Sequence, residues 1–358
     1  AYTGGTTVAA GATLQLGDGA VNGSLPTAGL TVDGTLAFRP GAAGVLFAGT
    51  FSGTGGVSAV GPNTTTLTGG LNGSGAVTVT GNGTLVVTGA SARGAAATTV
   101  LAGSTLRIGD GATAGTAYDG SISNGGTVRF SAPPGGITYG GANQFAIGGS
   151  GAGGVAVDGG TVLFTRANTY TGPTTVAAGA TLRAGVAAAV PTASAITLAG
   201  TLDLNGFGHS FNTLTGTGTV QLGTDPAVTL TFGGGGTVQF DGVVTGSGNL
   251  ARTGNGITVL TGQHTYTGTT NVQNNNGVLR LAGSTPNVLP VTTLLTNGND
   301  TAATIDLNGV NQEVAGFGVT GTTGPKVTNT NGSTASVFTV RVAAGTNTAN
   351  WVLGPSGG

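Results

Sequence analysis

Apolar and polar residues alternate along this chain in short runs. Ala76-Val77-Thr78-Val79-Thr80, Gly83-Thr84-Leu85-Val86-Val87 and Ser336-Val337-Phe338-Thr339-Val340-Arg341-Val342 have the two-residue period of a half-buried strand. Gly, Asn or Asp bounds such runs, and these are the residues that make turns. Helical spacing is nearly missing. The best candidate, Gly185-Val186-Ala187-Ala188-Ala189-Val190, stops at Pro191 after one turn or two. Of the strong helix formers, Glu occurs once (Glu313) and Lys once (Lys326). The pattern predicts an all-β chain of many short strands.

Internal repetition says which kind. Thr6-Thr7-Val8-Ala9-Ala10-Gly11-Ala12-Thr13-Leu14-Gln15-Leu16-Gly17-Asp18-Gly19 returns at Thr98 to Gly111 and, shortened, at Thr174 to Gly185. A fourth copy runs from Thr270 to Gly283 with one extra residue. A second motif, Gly34-Thr35-Leu36-Ala37-Phe38, recurs at Gly126, Gly200 and Ala303, and its first step equals the step from Val8 to Val100. Within every copy the phase is constant. Leu14 and Leu16, Leu106 and Ile108, Leu182 and Ala184, and Leu279 and Leu281 share one face, and Gln15, Arg107, Arg183 and Arg280 take the other.

A strand this short cannot bury its apolar face alone, but stacked coils can bury one another. Divided into coils of roughly 19 to 25 residues, the chain predicts a single right-handed parallel β-helix of roughly 14 to 18 coils. It is one domain, residues 1–358, with repeated units starting near 1, 90, 168 and 264. Ig-like sandwiches are the main competitor. They usually carry a core Trp per domain, and this chain has only Trp351. The repeat phase places Leu14, Leu16, Leu36, Phe38, Leu106, Ile108, Val128, Phe130, Leu182, Leu202, Leu204, Leu279, Leu281, Ile305 and Leu307 inside. It places Gln15, Arg107, Asp203, Arg280 and Asp306 outside.

Composition narrows the function. The chain has 358 residues, 74 of them Gly, yet no Gly-X-Y period, and its 38% apolar content is too high for disorder. Charged residues make up 6%, and the net charge of −1 leaves no basic patch for nucleic acid. With no Cys and no Met, disulfides, thiolate metal sites and a catalytic cysteine are excluded. No signal-like segment and no apolar run of about 18 residues occurs, which suits a soluble mature fragment whose targeting or anchoring segments lie elsewhere.

At Asn168-Thr169-Tyr170-Thr171-Gly172-Pro173-Thr174-Thr175-Val176-Ala177-Ala178-Gly179-Ala180-Thr181-Leu182 the chain resembles the passenger-associated transport repeat of Gram-negative autotransporters. Ala1-Tyr2-Thr3-Gly4-Gly5-Thr6-Thr7-Val8 matches from the second position, and His264-Thr265-Tyr266-Thr267-Gly268-Thr269-Thr270-Asn271-Val272 matches with His in place of Asn. The trailing Asp203-Leu204-Asn205-Gly206 and Asp306-Leu307-Asn308-Gly309 complete the pattern. The second copy departs from it, with Ser91-Ala92-Arg93-Gly94-Ala95-Ala96-Ala97 in place of the Tyr-Thr-Gly opening. The resemblance implies an extracellular β-helical passenger, exported across the outer membrane by a C-terminal translocator barrel that this sequence does not contain. It also implies adhesion, self-association or biofilm formation as the work done, with a surface glycan, a matrix protein or the protein itself as partner.

β-Helices also host polysaccharide enzymes, so the acids matter. Asp18, Asp33, Asp110, Asp119, Asp158, Asp203, Asp225, Asp241, Asp300, Asp306 and Glu313 are almost all solitary. Asp18 and Asp110 sit in Gly-Asp-Gly turns, and Asp203 and Asp306 are several coils apart on a solvated face. His209 and His264 have no metal-ligand spacing, and His264 is expected to cap a bend. The Gly233–Gly236 run lacks the context of a phosphate loop. Tyr2, Tyr170 and Tyr266 could bind a ligand, but they fit better as corner covers whose hydroxyls cap backbone groups. Asn205 and Asn308 read as turn residues. Thr-x-Thr runs at Thr78, Thr217 and Thr229 are not coil-regular, which disfavours an ice-binding type of surface. The expectation is a structural or adhesive rod with no catalytic, cofactor or metal site. The alternatives are a β-helical polysaccharide enzyme with unrecognised loops and a non-adhesive presenting stalk.

Overall fold

A parallel strand of three or four residues must find both hydrogen-bonding neighbours elsewhere in the chain. In the computed structural model they come from the coils before and after. The described residues are 4–25, 29–92, 96–114, 116–141, 146–149, 151–273, 277–297, 303–319, 326–342 and 352–353. Among them there is no helix, and the named strands pair in parallel, stacked as a β-solenoid of about 14 turns. Residues 185–190 form turns, with Ala188 at φ 56°.

The chain divides into two compact units, Ala1–Ala193 and Ser194–Gly358. In the first, a seven-stranded sheet runs from Thr13–Leu16 to Ile147–Gly148. A second face stacks Thr64–Leu67, Thr84–Val87, Thr105–Ile108, Thr127–Ser131 and Gly154–Gly159 in succession. Like stands on like: Leu85, Leu106, Val128 and Val155 share one column, and Val87, Ile108, Phe130 and Val157 the next. Phe130, Tyr139 and Phe164 meet edge to face, with centroids 5.4–6.0 Å apart, and fill the interior where the second face meets a third. In the second unit, one six-stranded sheet runs from His209–Phe211 to Gly316–Val319 and another from Thr237–Phe240 to Val352–Leu353. Leu279 stacks on Ile305, and Leu260 on Leu281.

The repeat phase places the core. Leu16, Leu36, Phe38, Leu106, Ile108, Val128, Phe130, Leu182, Leu202, Leu204, Leu279, Leu281, Ile305 and Leu307 are buried. Leu14 is only half-buried, because its strand ends the seven-stranded sheet and a coil covers it on one side alone. Gln15 is exposed, and Arg107, Asp203 and Arg280 are partly so. Asp306, expected outside, is fully buried. It lies in register with Arg280 one coil back, and the Thr330 segment folds over it.

Turns close where the next coil comes near. Gly17 and Gly109, equivalent positions in two repeat copies, have φ of 82° and 85°. A Cβ at Gly109 would collide with the Ser131 carbonyl oxygen one coil on. Phe130→Ala should lower stability by about 3–5 kcal/mol through the cavity it leaves. Gly109→Ala should be destabilising although it adds only a methyl group. Urea unfolding followed by far-ultraviolet circular dichroism checks both, and an unchanged midpoint in either variant would contradict this packing.

Candidate functional site

Alternation turns every second side chain outward, and the register aligns those side chains across coils. On the first unit, Ser58, Thr78, Thr99 and Ser123 form one outward column. Thr64, Thr84, Thr105 and Thr127 form another, at the start of the strands of the next face. Neighbours in such a column are about 4.8 Å apart. The sequence hides this regularity, because coil lengths vary while the register absorbs the variation.

The repeat motif works inward. Tyr170 and Tyr266 are fully buried, so neither ring is offered to a ligand. The Tyr170 hydroxyl is 2.8 Å from Thr174 Oγ1, and that of Tyr266 bonds Thr270 Oγ1. Their partner is thus a threonine side chain four residues on, not the backbone group expected. Burial raises both phenols well above their ordinary range, against the smaller pull of the threonine hydroxyls. Tyr2 lies outside the described residues. In the divergent second copy, Thr98 is bonded by Tyr118 from the following coil, so another coil supplies the missing ring.

Two residues before Tyr170 and before Tyr266, a side chain ties coils together. Asn168 Oδ1 accepts the Ile147 N–H at 2.8 Å, and its Nδ2 donates to the Ala189 carbonyl at 2.7 Å, reaching one coil back and one forward. At the equivalent place, His264 Nδ1 accepts the Val244 N–H at 3.0 Å; Val244 lies in the strand Val243–Thr245 of the preceding coil, so the side chain ties coils together where a bend cap was expected. The imidazole lies flat against Phe240, 12° from coplanar, and burial pushes its pKa down to about 4. The forward half of Asn168's role passes to Gln312, which takes the Leu289 N–H on Oε1 and donates to the Leu289 carbonyl. His209 is also buried, with Nδ1 2.9 Å from the Phe207 carbonyl, and burial lowers its pKa against that bond.

The charged residues serve turns and coil contacts. Asp18 Oδ1 accepts the N–H groups of Ala20 and Val21, and Asp110 Oδ1 those of Ala112 and Thr113. The Thr113 N–H and hydroxyl, with the Ala112 N–H, hold Asp110 down at about 2. Asp203 and Asp306 each accept the N–H two residues on, from Asn205 and Asn308, which have φ of 49° and 44°. Burial opposes ionisation of Asp306, but Thr330, Arg280 and Asn308 together hold its pKa below the usual value. Arg129 and Asp158 pair at 2.7 Å across adjacent coils. Among the described residues, no group of three His, Asp or Glu side chains is placed to hold a metal ion. Sequence reading missed Arg252, an arginine in the interior whose guanidinium donates to the carbonyls of Gly254 and Gly256.

Over 184 residues, 51% of this chain, the sequence is 32% identical to the Adhesin BmaC autotransporter of Brucella suis biovar 1 (strain 1330). Fold and sequence agree: the chain is similar to an autotransporter passenger. The matched stretch spans only 4% of that relative's length. No family model and no solved structure matches the chain.

The described motif tyrosines are turned inward, so the outward columns are what the first unit presents to solvent. Tyr170→Phe should cost about 1 kcal/mol of stability through the lost Thr174 bond and leave the outer surface untouched. Asp306→Ala strips two N–H groups, a hydroxyl and Arg280 of their acceptor, and should cost about 2–3 kcal/mol. The cost stays below that of a fully buried pair because the Arg280 side chain is 32% exposed. Thermal melts of the two variants at neutral pH test this order, and a larger loss from Tyr170→Phe would reverse the assignment.

Proposed function

We propose that this chain is part of an exported autotransporter passenger at the bacterial surface and works by contact, as an adhesive or self-associating surface. The observation that carries the reading is the register of outward hydroxyls: Ser58, Thr78, Thr99 and Ser123 stand in line on a face that carries almost no charge. A column of donors and acceptors at constant spacing suits a partner that itself repeats, such as a glycan chain, a fibrous matrix protein or a second copy of this chain. Each hydrogen bond is worth about 1 kcal/mol net, so affinity comes from many weak contacts in series. Low charge lets such surfaces approach without the repulsion that a strongly charged face imposes. The similarity to a protein described as an adhesin supports the same reading. Among the described residues, Asp18, Asp110, Asp158, Asp203, Asp306, His209 and His264 bond to turns and neighbouring coils, which favours contact over catalysis.

Cells displaying the chain on a translocator barrel should clump, or attach to glycan or matrix-coated surfaces, more than cells displaying the barrel alone. Replacing Thr78 and Thr99, both outward and half-buried, with Lys should cut that attachment several-fold, at a stability cost of about 1 kcal/mol each, the usual size for a point substitution. If the double variant attaches as well as the parent, this face is not the contact. If display changes neither clumping nor attachment, a non-adhesive presenting stalk is the better account.

A further inference from the structure

Among the repeat copies, the position two residues before the motif tyrosine is Asn168 in one and His264 in another. Both side chains accept an N–H from the preceding coil, but only one of them can be protonated at moderate acidity. The environment of His264 makes that difference matter. The residue is 3% exposed, its Nδ1 is occupied by the Val244 N–H, and its Nε2 has no hydrogen-bond partner among the described residues. Since Nδ1 accepts, the ring is the neutral tautomer with its proton on Nε2. A hollow of about 360 Å³ adjoins it, walled by Asn287, Leu289, Pro290, Val291 and Thr292 together with Gln263. Val291, on its rim, keeps 42% of its surface exposed.

We propose that His264 is an acid-sensitive latch between coils of the second unit. Protonation puts a hydrogen on Nδ1, which then has no lone pair to accept the Val244 N–H. The ring becomes a buried cation facing a backbone donor. No group around it can compensate. Phe240 and Tyr266 flank the ring, and the Tyr266 phenol is already bonded to Thr270. Asp241, which follows Phe240, is exposed and bound to Gln239 and Thr261. Glu313, on the strand beyond Asn287, is paired with Arg341. The walls of the hollow carry no charged side chain to pair with an imidazolium, and Nε2 is itself shielded from solvent, so the imidazolium gains hydration only if the coils on either side of it part. Asn168 has no such state, and its coils should stay closed in acid.

The sign follows from the two protonation states. The folded form holds the ring neutral down to about pH 4, whereas the unfolded segment takes up a proton near the ordinary histidine value. Stability is therefore full above about pH 6.5 and falls as the pH drops towards 4. Hydrogen exchange of the full chain, corrected for intrinsic rates, reads the opening equilibrium coil by coil. Between pH 7.5 and 4.5, opening of peptides covering 240–272 and 286–294 should rise by on the order of a hundredfold relative to peptides around Asn168. In His264→Asn, whose amide can still accept the Val244 N–H as Asn168 accepts that of Ile147, the rise should disappear. His209→Asn serves as the control and should retain it. An equal acid response in His264→Asn, or none in the parent chain, overturns the proposal. Should His264→Asn fail to fold, NMR titration of the parent decides, because the chain contains only two histidines. His264 must stay neutral below pH 5 and protonate together with the loss of amide protection; titration near 6.5 in a protected fold would also overturn the proposal.

Discussion

Everything in this fold depends on the parallel hydrogen-bond ladder between successive coils. A short strand contributes too little by itself to offset the entropy of ordering it, so each one exists only because the coils before and after it lie in register. The ladder fixes more than the backbone. It places Leu106 under Val128 and Ile108 under Phe130, so a side chain's neighbours are set by the coil next door rather than by its own sequence. Glycines such as Gly109 follow from the same constraint, because the turn must pass beside another coil's carbonyl.

Stacking also forces polar groups into places without water, and the chain satisfies many of them with one recurring device. A side chain near a corner accepts an N–H from an adjacent coil, as Ser91 does from Leu71, 20 residues back. Asn168 ties both of its neighbours, whereas His264 and Gln312 divide that task between them. Thr98, Thr174 and Thr270, at the same place in three repeat copies, turn inward to a tyrosine hydroxyl, and the copy at Thr98 recruits Tyr118 from a different coil for this purpose. The motif is thus better understood as a rule for joining coils than as a binding signature. That separation leaves the outer face free to vary in chemistry without loss of the fold.

The period-two pattern, the constant phase of the repeats and the glycine-bounded runs were sufficient to determine an all-β solenoid and to place fourteen of the fifteen core positions read from the repeat phase, because alternation is a property of the strand itself. Turn chemistry at Asp18, Asp110, Asn205 and Asn308 was equally legible, since those bonds reach only two or three residues along the chain. Contacts between coils were not legible. The burial of Asp306, the inward Arg252, the Tyr118–Thr98 pairing and the outward hydroxyl columns all depend on which residues lie one coil apart. Coil length varies from turn to turn, so sequence spacing cannot supply that register; only the closed ladder of hydrogen bonds decides it.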